Sequence, residues 1–91
     1  MASGVIREKG LKKIQVVNDT ISGNGFATRQ FLDTVYPNAN FVGCISKNPD
    51  YSARIIRLSA NTGYSVQCVR YDGAFPVNGT VVTYDVFYYE N

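Results

Sequence analysis

The sequence predicts an α+β domain, an antiparallel, curled sheet of about five strands with one covering α-helix, in the order β-α-β-β-β-β. Three observations carry that expectation. Short β-branched and aromatic runs recur along the chain, one segment repeats its apolar residues at every fourth position, and clusters of Gly, Asn and Pro separate these stretches. With 91 residues, 45% hydrophobic and 18% charged, the chain has the composition of one globular domain.

Residues 1–10 are small and charged, with Gly4 and Gly10 interrupting any regular element. They read as a flexible lead-in to a single domain at 11–91. Lys12 to Asn18 puts Ile14 and Val16 on one face of a strand, and Asp19 to Gly25 breaks it with two glycines and an Asn-Gly pair. From Phe26 to Tyr36, Ala27, Phe31 and Val35 recur at helical spacing with Leu32 and Tyr36 beside them, while Arg29, Gln30 and Asp33 face away. Asn24 is placed to cap that helix, and Pro37 to stop it. Phe41 to Ser46 reads as a strand closed by Lys47-Asn48-Pro49-Asp50, and Tyr51 to Ala60 as the next. Asn61-Thr62-Gly63 forms a hairpin loop before the alternating strand Tyr64 to Tyr71. After the loop from Asp72 to Gly79, the last strand runs from Thr80 to Tyr89. It carries Val82, Tyr84, Val86 and Tyr88 on one face and Thr83, Asp85 and Phe87 on the other. The chain has 7 tyrosines and 5 phenylalanines, more rings than one short helix can hide. The sheet must therefore curl or be covered by something else.

The composition also narrows the chemistry. There is no histidine, which excludes a histidine-dependent triad, a His-containing zinc site and imidazole acid–base catalysis. Cys44 and Cys68 lack CxxC spacing and fall mid-strand, where apolar surroundings blunt a thiol. No paired carboxylates stand out, so the reading is non-catalytic, with no cofactor and no metal. The sequons at Asn18-Asp19-Thr20 and Asn78-Gly79-Thr80 read as turn chemistry without a secretion signal. With no signal peptide and no apolar span of membrane length, the expected compartment is the cytoplasm.

Formal net charge is +2, too small for strong phosphate binding. Arg54, Arg57 and Arg70, with Tyr51, Tyr64 and Tyr71, could still make a weak platform for single-stranded nucleic acid. Gly63 to Val69 resembles the RNP1 strand of RRM domains, which would imply RNA binding. Thr62 departs from that pattern, as do Ser65 and Val66. A pocket inside the curled sheet for a small molecule is a further alternative. The long, nearly uncharged last strand points instead to a partner chain, as a homo-oligomer or with another protein. The expected contact surface is Tyr84, Phe87, Tyr88 and Tyr89, with Arg54, Arg57 and Arg70 beside them. Such a chain suits a small accessory protein, of the kind that mobile elements and phages carry.

Overall fold

In the computed structural model, residues 10–90 are described; most of the expected lead-in, residues 1–9, lies outside them. Six strands form: β1 Lys12–Ile21, β2 Phe26–Leu32, β3 Ala39–Ser46, β4 Tyr51–Arg57, β5 Gly63–Arg70 and β6 Thr80–Glu90. Every pairing is antiparallel, in the order β3-β6-β1-β2-β5-β4. The sheet curls into a nearly closed barrel, with β3 beside β4 across a seam that no ladder spans. The expected α+β class is therefore wrong: the fold is all-β, and the described residues contain no helix.

The segment expected to be the helix is β2 and the turn after it. A spacing of four is even, so Ala27 and Phe31 share one face of a strand as readily as one face of a helix. Both are buried in the barrel, but Val35, the next residue in the helical stripe, is 64% exposed. What remains of helical geometry is one turn, in which the N–H groups of Val35 and Tyr36 donate to the Leu32 carbonyl at 3.0 and 2.9 Å. That turn brings Tyr36 back over the barrel mouth. Asn24 caps nothing, because it belongs to the β1–β2 turn, where the Gly25 N–H donates to the Ser22 carbonyl at 2.8 Å. Gly25 follows with φ 89°, and a Cβ there would lie 2.4 Å from the Cys68 carbonyl oxygen. Only glycine fits both demands.

The other expected strands form with ends shifted by a few residues, and β1 runs three residues beyond Asn18 to Ile21. It does so through a bulge: Val16 pairs with Tyr84 but Asp19 with Val82, so β1 carries one extra residue. Asn18 takes the left-handed conformation at φ 55°, and its N–H donates to Thr83 Oγ1 at 3.1 Å. The extra residue changes the phase, so Asp19 and Ile21 join Val16 in the interior.

Ile21, Phe31, Val66, Cys68, Val82, Tyr84 and Val86 fill the barrel. One end is stopped by rings. Phe41 lies 5.4 Å from Phe31, 5.9 Å from Tyr36, 5.1 Å from Tyr64 and 5.4 Å from Tyr88, centroid to centroid. These rings reach from β3 to β2 and β5 and close the seam by packing.

Phe31→Ala should lower the unfolding free energy by about 3–5 kcal/mol in a denaturant titration. Val35→Ala should change it by less than about 0.5 kcal/mol. A large loss at Val35 would mean a packed helical stripe and would contradict β2.

Candidate interaction surface

The last strand does not present its aromatic residues to one side. β6 lies between β3 and β1, paired on both edges. Tyr84 is fully buried in the interior, and Tyr88 points inward among the rings at the barrel mouth. Phe87 and Tyr89 alternate with them and face outward.

The three arginines are also divided. Arg54 faces out from β4 and donates to Gln67 Oε1 from Nε at 3.1 Å and Nη2 at 2.8 Å. Arg57 stands at the ring-filled end, where it grips both oxygens of Asp33 at 3.1 and 2.8 Å and lies 4.8 Å over the Tyr64 ring. Arg70 pairs across from Tyr51 at the other end, 3.7 Å from Asp72. Two of the three are engaged by carboxylates, and no continuous basic strip joins them.

The polar heart of the interior was not foreseen. β1 and β2 share one ladder pair, Ile21 with Ala27, and then separate. β2 carries extra residues between Phe26 and Gln30, and the Asp19 carboxylate fills the gap. It accepts from the Thr28 hydroxyl, from the Arg29 N–H at 3.1 Å and from the Tyr84 hydroxyl at 2.7 Å. Burial pushes the Asp19 carboxyl up, but the bonds donated by Thr28, Tyr84 and the N–H groups of Arg29 and Thr20 outweigh it. The result lies below the ordinary carboxylate value. The Tyr84 phenol moves the other way, through burial first and then through its bond to Asp19. Cys44 and Cys68 are free thiols, pushed by burial up to about 12 and about 11, and so stay protonated near neutrality.

The outer face of β3, β6 and β1 is different in character. Gly43, Phe87 and Lys13 form one row across the three strands, and Ile45, Asp85 and Gln15 form the next. A bulge between Phe41 and Gly43 turns Val42 outward, so Val42 and Ile45 stand 56% and 57% exposed, with Phe87 and Tyr89 beside them. Asp85 lies among these groups at only 2% exposure. Its Oδ2 is 3.1 Å from the Lys47 ammonium, while its buried Oδ1 has no hydrogen-bond partner. Lys13 is exposed and has no ion pair among the described residues. Alternation along β6 had set Asp85 and Phe87 on one face. Nothing in the linear sequence signalled that Val42, Ile45 and Lys13 would join them, because strand order and the β3 bulge decide it.

Tyr71, Phe75 and Val77 make a second exposed apolar group, on the β5–β6 loop. The one acid there, Asp72, is already engaged by Arg70 and by the Ala74 N–H at 3.0 Å. No helix among the described residues is long and apolar enough to cross a membrane. In comparisons with protein-family models, curated proteins and solved structures, nothing matches this chain.

Tyr84→Phe should cost about 1–3 kcal/mol, the loss of a donor to a buried carboxylate. A depressed Asp19 pKa gives stability that is full above the unfolded value of about 3.9 and is lost as pH falls through the lower folded value. Acid titration of unfolding should show that loss in the wild type and a flatter curve in Asp19→Asn. An unchanged acid limb in the variant would remove Asp19 from this role.

Proposed function

We propose that this chain is a small, non-catalytic interaction module whose contact surface is the outer face of β3, β6 and β1. The observation that carries the reading is the set of apolar side chains gathered there, Val42, Ile45 and Tyr89 exposed and Phe87 half-buried beside them. Exposed apolar groups gathered on one face mark contact sites more often than isolated ones do. The interior supports the same reading, because Phe31, Tyr84 and the aliphatic side chains around them already occupy it. A partner has to be met from outside.

Of the expected contact residues, Phe87 and Tyr89 remain in this surface. Tyr84 and Tyr88 serve the barrel, and Arg54, Arg57 and Arg70 stand elsewhere. The partner is a second copy or another protein, and the chain acts in the cytoplasm, where two unbonded thiols suit a reducing compartment.

Light scattering across the micromolar range tests self-association directly. The mass should rise with concentration in the wild type and return to that of a single chain in Ile45→Asp. Ile45 is exposed, so its substitution should leave the unfolding midpoint nearly unchanged. A wild type that stays a single chain throughout would remove self-association.

A further inference from the structure

We propose that the open edge of β1, over Lys12 to Val17, binds an extended acidic segment of another protein as an added strand. This site is the backbone edge of the sheet and does not depend on the outer face of β3, β6 and β1. β1 pairs with β6 in unbroken register from Lys12 with Tyr88 to Val16 with Tyr84. On its other side it meets β2 only at Ile21 and Ala27, and the two strands then part. Backbone groups alternate in direction along a strand, so every second residue from Lys12 to Val17 turns its N–H and C=O away from β6. No backbone bond from another described residue reaches those groups. The other open edges are less available. β3 and β4 turn theirs toward each other across the seam, where Phe41 packs on Tyr64, and β2 is interrupted by the extra residues between Phe26 and Gln30.

An edge specifies its ligand more narrowly than an apolar face does, because alternating unpaired donors and acceptors match the backbone of one extended strand. The flanking side chains specify the rest. Ile14 and Val16 face the interior, so residues of the added strand beside them are apolar. Lys13 borders the edge on the outer side, and Arg29 lies across the gap on β2. Both are exposed, and neither has an ion pair among the described residues. Acidic side chains at the alternate positions of the added strand would meet them. A second copy of this chain fits poorly. Its Asp19, Asp33, Asp72, Asp85 and Glu90 are engaged by Tyr84, Arg57, Arg70, Lys47 and Lys12, and its Asp50 lies in the turn between β3 and β4. β1 laid on β1 would add two more lysines to an edge already basic, and lysine on an edge guards against such pairing.

The test uses the full chain and a short synthetic peptide of alternating Val and Glu, blocked at both ends. In the free protein, every second amide from Lys12 to Val17 should exchange rapidly with solvent, while those bonded to β6 are protected. The peptide should slow the fast set and shift its NMR signals, with saturation below about 1 mM. Lys13→Glu should weaken binding about threefold to tenfold. The same peptide methylated at every backbone nitrogen should not bind, having no N–H to donate. Absence of saturation by about 1 mM, or equal binding of the methylated peptide, would overturn the proposal. Protection of every amide from Lys12 to Val17 before peptide is added would overturn it too. Protection that grows with protein concentration would mean that a second copy holds the edge, and protection that does not would mean that the chain covers its own edge. Ile45→Asp should leave peptide binding unchanged. Shifts confined to Val42, Ile45 and Phe87 would remove the edge site and leave the outer face standing as the contact surface.

Discussion

The Asp19 carboxylate is the constraint on which the barrel depends. β1 and β2 are joined by a tight turn and a single ladder pair before they part, and a sheet that parts there would leave backbone donors facing an apolar interior. Asp19 supplies acceptors to β2 through Thr28 and the Arg29 N–H, and to β6 through Tyr84. One side chain thus replaces missing ladder bonds and ties three strands together. A buried charge is costly unless it is fully bonded, and this one accepts from both sides.

Curvature follows from the same place. The bulge that turns Asp19 inward adds a residue to β1, and the extra residues of β2 let its middle reach over to the carboxylate. Bulges strengthen local twist and bend a sheet toward closure. Closure itself is left to side chains: Phe41 from β3 packs on rings of β2, β5 and β6 where no ladder joins β3 to β4. Once rings and aliphatic groups fill the inside, the exposed apolar groups of β3 and β6 have nowhere within the described chain to go. The outer face of those strands owes its character to how completely the interior is filled.

The strands were largely legible because period-two alternation is a local property. Val82, Tyr84, Val86 and Tyr88 do share the inner face of β6, and Tyr64, Val66 and Cys68 that of β5. The segment from Phe26 to Tyr36 misled because its apolar spacing of four suits both periodicities, and Asn24 and Pro37 suit a turn as well as a helix end. The expected surface misled for a related reason. Tyr84, Phe87, Tyr88 and Tyr89 are close in sequence, but strand alternation sends two of them inward and two outward.

Composition, the run of β-branched and aromatic residues, and the turn signals determined a small antiparallel sheet with one ring-rich strand and no imidazole chemistry. Those properties follow from each segment's own residues and period. Which strand lies beside which, where a bulge reverses a side chain, and whether a carboxylate is buried or bare were decided only by the tertiary structure. They depend on contacts between residues far apart in the chain, as when Asp19 meets Tyr84, or when Lys13, Ile45 and Asp85 come to lie on one face.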